Sequence, residues 1–499
     1  MQQVTERRGS TEVGTVAPPS AVTAEPPDAG WRGEVVAALV AGALFAASAV
    51  IGTALNDGDR LRLQSPPLLA SWSPHLGPGT VPALLLAGLG LLYGPTLARR
   101  LPWRALLVAS WAGSTGWLLV LAWIDGWHRG VVNNLETKHE YLRSVDEVNA
   151  MPGWGHFLEG FVARVPIDAV DNWPAHVAGH PPGATLTFAL LDRIGLPGGI
   201  WASMFCVLWA ASAPAAVLVT VRLLAGERLA RRAAPFLVLA PAAVWLGVSA
   251  DAYFAAVAAW AVALLALAAR GRQRAGGRER GGAAGRGGAA GWRGAGWRGA
   301  ALGSGLFFGL LCYLSYGLTL MALVGVGVLL LTREWRPLPY VLVGVGAWVA
   351  VFTVGGFWWY EGYEVLVERY FAGAGGQRPY GYFVWANIAA QVLTVGLATA
   401  AALWQWGPRL VGSARGLAPG RRAAEGYRAL VVLVASALAA LLVADLSGMS
   451  KAETERIWLP FVMWLLPVTA LLPERRARWW LAAQLVMALL VNHLYRTTW

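Results

Sequence analysis

The residues of this chain that could do chemistry are concentrated between Asp125 and Pro182. Asp125 closes a long apolar run, and Glu136, Glu140, Asp146, Glu147, Asp168 and Asp171 follow it, interleaved with Tyr141, His176 and His180. A carboxylate held against a membrane can serve as a general base for an acceptor hydroxyl, or help hold a divalent cation such as Mg or Mn. Further along, Asp251 lies in Ser249-Ala250-Asp251-Ala252-Tyr253, at the boundary between two apolar runs. An ionisable residue at membrane depth is costly and marks a functional site. The structural alternative is a first-turn carboxylate favoured by the helix dipole, and both can hold at once. Lys451 and Arg456 bracket Glu453 and Glu455 just ahead of Ile457-Trp458-Leu459-Pro460. Such cations can pair with phosphate, arginine in bidentate fashion. The two glutamates offer local ion pairing instead.

These residues must be positioned by membrane helices. Hydrophobic residues make up 57% of the 499 and charged residues 14%, and the mean hydropathy is +0.50. A soluble chain of this length carries roughly a quarter charged residues, so a soluble enzyme is excluded. A span takes about 20 apolar residues, and Val35–Leu55, Val81–Ala98, Trp103–Ile124, Gly199–Leu224 and Leu338–Phe357 all qualify. Many of the 27 tryptophans lie near span ends, where amphipathic rings settle at headgroup level. Cys206 and Cys312 fall inside spans and suggest neither a disulfide nor a metal site.

Lys and Arg set the orientation. Residues 1–33 read as a disordered cytosolic tail, and residues 34–499 as one transmembrane domain. Arg99–Arg100, the cluster Arg222–Arg232, Arg333, Arg336, Arg409–Arg422 and Arg475–Arg478 face the cytosol. The net charge of +12 comes mostly from the Gly/Arg-rich stretch 270–299. Arg-Gly segments can bind RNA, but this one joins two spans, and a cytosolic loop obeying the positive-inside rule accounts for it; no nucleic-acid partner is expected. The expected fold class is all-α and polytopic, with about 13 spans (11–14). Residues 125–183 form a long extracytoplasmic loop carrying juxtamembrane helices, and Ala184–Ile194 is too short to span. With the basic residues inside, the acids, histidines and tyrosines that could do chemistry gather outside.

The loop ends in Gly179-His180-Pro181-Pro182-Gly183, where two prolines and flanking glycines hold His180 at the membrane face. Taken together, the pattern resembles the GT-C superfamily of polytopic glycosyltransferases, which shares the many spans and the acidic first outer loop with a carboxylate near its start. The His180-Pro181-Pro182 element is similar to the Lys/His/Asn-Pro-Pro element of protein O-mannosyltransferases and lipid A aminoarabinose transferases. Ser249–Tyr253 and Glu455–Pro460 look like segments of actinobacterial membrane proteins of this type. The resemblance covers about Val35 to Leu472. It departs from the pattern in two places: His139-Glu140-Tyr141 stands where an Asp-Glu pair followed by Tyr is common, and two spans precede Trp103–Ile124 where one is usual.

The resemblance implies sugar transfer from a polyprenyl-phosphate donor to a cell-envelope acceptor (glycan, lipid or protein), at the outer face of the plasma membrane. Asp125, or failing that Glu140, is then the catalytic carboxylate. Lys451 and Arg456 hold the lipid phosphate, and Tyr141, His180 and Asp251 shape the pocket. Some relatives use a divalent cation, yet no ligand spacing here demands one. The alternative is a multi-pass transporter or flippase of lipid-linked or envelope precursors, against which the sequence shows no internal repeat and no charge deep in mid-span.

Overall fold

A computed structural model describes residues 28–280, 289–407 and 421–497. Among these described residues, seven helices are long and apolar enough to cross a bilayer: Trp31–Leu55, Thr80–Arg100, Trp103–Ile124, Gly198–Ala225, Ala250–Gln273, Gly296–Leu314 and Glu425–Leu446. Two further pairs qualify if each counts as one broken span. Leu338–Val354 meets Trp359–Ala372 at 75°, and Tyr380–Val395 meets Leu397–Trp404 at 102°. The second bend turns at Gly396, whose φ of +80° lies in the left-handed region that glycine adopts without a Cβ clash. The protein is thus a polytopic helical membrane protein.

The other segments expected to span, on the count of about thirteen, are not single long apolar helices among the described residues, and this has a physical cause. Glu227–Leu246 is not one helix: Glu227–Val238 and Ala243–Leu246 are separated by a turn containing Pro241. Tyr316–Met321 and Leu466–Leu471 are 3-10 turns joined to short apolar helices, and Glu474–Leu494 begins with three arginines among its first five residues. Apolar composition is present in these segments, but an unbroken apolar helix is not. Gly183–Arg193 is a short helix, as its length suggested. The Arg-rich stretch is largely helical at both ends, since one helix runs on to Arg280 and the next starts at Ala289. The predicted cytosolic tail lies mostly outside the described residues, and Trp31 already begins the first helix.

One element departs from an all-α expectation. Ala70–Trp72 pairs antiparallel with Tyr495–Thr497, in the register Ala70↔Thr497, Ser71↔Arg496 and Trp72↔Tyr495. It ties the segment after the first helix to the C-terminal segment.

The bundle has two chemically distinct ends. At one, arginines satisfy helix-terminal carbonyls and acids. Arg231 Nη1 donates to the carbonyls of Ala98 (2.8 Å) and Leu101 (2.9 Å), the C-terminal groups of Thr80–Arg100. Arg476 pairs with Asp28 (2.6 Å) and with the fully buried Glu34 (2.8 Å), which also accepts from Trp480. Trp103–Ile124 starts at this basic end, beside Arg222. It finishes at the other end with Asp125, and there Asp251 opens the helix Ala250–Arg280. Asp125 and Asp251 thus lie at the end of the bundle opposite Arg222 and Arg231.

Candidate active site

Four stretches distant in sequence meet at the acidic end. Glu140 is the residue before a 3-10 turn, Tyr141–Ser144. His176 sits in the single helical turn Ala175–Ala178, and His180 follows it into the Pro-Pro element. Asp251 lies in the first turn of its helix. Glu453 caps the N-terminus of the short helix Thr454–Ile457, and Arg456 lies within it. The loop can approach this closely because position 183 is glycine. A Cβ there would lie 2.5 Å from the carbonyl oxygen of Tyr313.

Within this meeting point His176 is the hub. Its Nδ1 is 2.8 Å from Glu140 Oε1, a close but angled approach. Its Nε2 is 3.3 Å from Arg456 Nη2. Arg456 in turn pairs with Asp251, and lies 3.4 Å from Glu453. Glu453 also lies 3.7 Å from Arg378. Asp251, Glu140 and Arg456 are all buried, so each charge must be met inside the protein. Burial pushes the Glu140 carboxyl up, but His176 and Arg456 outweigh it and hold it below the ordinary range, so it remains a carboxylate. Burial lowers His180 to about 4, which keeps its ring neutral. The ring Nδ1 then donates to the His176 carbonyl at 2.8 Å, leaving Nε2 as an acceptor.

Tyr141 fills the space between these groups. Its ring lies 5.4 Å from Phe188, 5.7 Å from His180 and 6.1 Å from His176. Its hydroxyl is buried and has no hydrogen-bond partner among the described residues. Burial, with Asp251 and Glu140 nearby, raises its pKa, so the phenol stays a neutral donor. A buried donor without a partner is costly, and here it faces a carboxylate-lined centre. Ala452 (φ +73°) and Glu453 (φ +61°) both adopt left-handed backbone, a strained pair of the kind held at functional sites.

Five of the seven sequence candidates therefore converge: Glu140, Tyr141, His180, Asp251 and Arg456. The other two sit elsewhere. Asp125 Oδ1 is 3.1 Å from His75 Nε2, 3.7 Å from Arg129 Nε and 3.7 Å from Arg496 Nε. That is a separate ion cluster, seated on the two-stranded pair. The expectation that Asp125 shares one site with Asp251 and Arg456 does not match these contacts. Lys451 Nζ donates to the Gly375 carbonyl at 2.8 Å and lies 5.6 Å from the Phe371 ring. It borders the cluster only through its own carbonyl, which accepts from Arg378. Sequence reasoning named His176 and Glu453 among the residues that could do chemistry without assigning them to the site, and did not name Arg378. The i, i+4 spacing of His176 and His180 was the available signal for the first.

Glu140, Asp251 and Glu453 face His176 and Arg456 rather than one another. Among the described residues no three His, Cys, Asp or Glu side chains are grouped to hold a metal ion. The residues present do not fit a divalent cation, and no step is assigned to one.

No protein-family model and no curated protein sequence matches this chain. Among solved structures it is similar to the crystal structure of ArnT from Cupriavidus metallidurans in the apo state, at 16% identity and a TM-score of 0.42. The match covers 74% of this chain and 59% of that one, so the chain spans under two thirds of the length of the protein it matches. At this distance no residue role is transferred, and the site stands on its own geometry.

Proposed function

We propose that this protein is a membrane glycosyltransferase of the GT-C type. It moves a sugar from a polyprenyl-phosphate donor to a cell-envelope acceptor on the extracytoplasmic side of the plasma membrane. The observation that carries this reading is the buried Glu140 carboxylate. It is kept ionised by His176 and backed by the Asp251–Arg456 pair, at the end of the bundle opposite the arginines.

The acceptor hydroxyl attacks the anomeric carbon, the bond from that carbon to the phosphate oxygen breaks, and polyprenyl phosphate leaves with the bonding pair. Glu140 orients the hydroxyl and takes its proton as positive charge builds on the oxygen. Arg456 supplies the cation that meets the leaving phosphate, in a dry site where such a charge counts most. Tyr141 offers its unspent hydroxyl to the substrate. Asp251 holds Arg456 in place, and the neutral His180 shapes the pocket wall. Lys451, turned towards Gly375, acts from behind through the same segment. Between the two candidate bases the geometry favours Glu140, because His176 links it to Arg456 and Asp251, whereas Asp125 is engaged in its own cluster with His75, Arg129 and Arg496.

The two broken helix pairs favour a transporter as the second reading, since bent helices frame many transport sites. One reconstitution separates the two. Liposomes containing the protein receive radiolabelled polyprenyl-phosphate sugars and an envelope acceptor extract. Sugar on the acceptor, lost in Glu140→Gln, supports the transferase. Movement of label across the bilayer without transfer would establish the transporter.

A further inference from the structure

The basic end of the bundle holds a cavity that the proposed chemistry does not use. Its volume is about 950 Å³, and among the described residues Arg222, Arg270, Arg333 and Arg428 line it with a single acid, Glu425. Two of the arginines are fixed in place. Arg222 pairs with Glu227 at 2.8 Å and lies 4.3 Å over the Trp103 ring. Arg270 donates to the Leu223 carbonyl at 3.1 Å and to Gln273 at 2.8 Å. The other two, Arg333 and Arg428, are exposed and make no ion pair or hydrogen bond to any described residue. Arg333 also holds a left-handed backbone, at φ +51°, which turns the chain at the rim of the cavity.

We propose that this cavity binds the phosphate headgroup of an anionic phospholipid from the adjoining leaflet. Four guanidinium groups against one carboxylate select a phosphate, which arginine engages bidentately. Basic pockets between membrane helices at the cytoplasmic side bind such headgroups. A soluble phosphate would meet the same charges, but the wall of the cavity argues for a lipid. Leu330 lines the cavity, is 57% exposed, and continues a row with Val326 and Leu323, also exposed, along one face of Ala322–Thr332. That row, at i, i+3 and i+7, gives an acyl chain a track beside the headgroup. Trp335, exposed on the rim, sits where an aromatic ring marks headgroup level. The inference is independent of the transferase reading.

The test is native mass spectrometry of delipidated protein with phosphatidylglycerol, phosphatidylcholine or glycerol 3-phosphate. The wild type should retain phosphatidylglycerol over phosphatidylcholine. The double variant Arg333→Ala/Arg428→Ala should lose roughly ten-fold or more of that preference. A control, Arg99→Ala/Arg100→Ala, removes two exposed arginines from the same end and should bind as the wild type does. Thermal unfolding without lipid checks that both variants are folded. Equal loss in the control means diffuse surface charge and overturns the proposal. So does retention by the Arg333/Arg428 variant, or glycerol 3-phosphate displacing the lipid at equal concentration.

Discussion

Arg456 Nη2 lies 3.3 Å from Nε2 of His176. A guanidinium can only donate, so that imidazole nitrogen must accept, and the ring proton sits on Nδ1, facing Glu140. One contact thus determines a tautomer, and the tautomer keeps a proton donor against the Glu140 carboxylate. His176 is a positioning residue in this arrangement: it aims Glu140 and links it to Arg456.

His176→Gln should therefore lower kcat of sugar transfer while leaving KM for the acceptor nearly unchanged, and should shift the acidic limb of the pH profile upward. Without the ring, burial acts on Glu140 with less opposition, so its pKa rises. A kcat loss with an unmoved limb would show a packing role only.

Glu140→Gln should cost about a hundred-fold or more in transfer rate with little change in folding. Asp125→Asn should spare transfer, and instead loosen the C-terminal strand by weakening the cluster with His75 and Arg496. Proteolysis of the C-terminal segment reads the second effect. The reverse pattern, transfer lost in Asp125→Asn and kept in Glu140→Gln, would make Asp125 the base.

Asp251→Ala should destabilise by about 3–5 kcal/mol, because it leaves Arg456 buried without its closest partner. Asp251→Ala combined with Arg456→Met should recover much of the loss in thermal stability while transfer stays absent. A double-mutant cycle measures the coupling.

Glu455 accepts the Leu69 N–H at 3.0 Å and is fully buried. Burial raises its pKa from 4.5 to about 7. The folded state therefore prefers the proton. Its stability is fully present below about 4.5 and is lost as the pH climbs through about 7. Glu455→Gln should keep the bond to Leu69 and flatten this slope, so that the variant unfolds at a higher temperature than the wild type at pH 8.

Much of the architecture was legible in the residues. Apolar runs and their arginine borders are local properties, and they placed Trp103–Ile124, Gly198–Ala225 and the short Gly183–Arg193 correctly. They could not show where composition stays apolar but a proline or 3-10 turn interrupts the helix, as in Glu227–Leu246 and Leu459–Leu471. The strand pair could not be seen, because Ala70–Trp72 is three residues long and its partner is more than 400 residues away.

By itself, then, the sequence determined that this is a membrane protein with a basic end and an acid-bearing end, because hydrocarbon admits few charges and sorts the rest to the helix ends. It also offered two carboxylates, Asp125 and Glu140, as candidates for the proposed base. Only the tertiary structure decided how they differ. Asp125 is drawn to His75, Arg129 and Arg496, while Glu140 is buried against His176, which reaches Arg456 across 280 residues of chain. Spacing along a helix cannot report such a contact, since it exists only once distant segments pack and water is excluded between them.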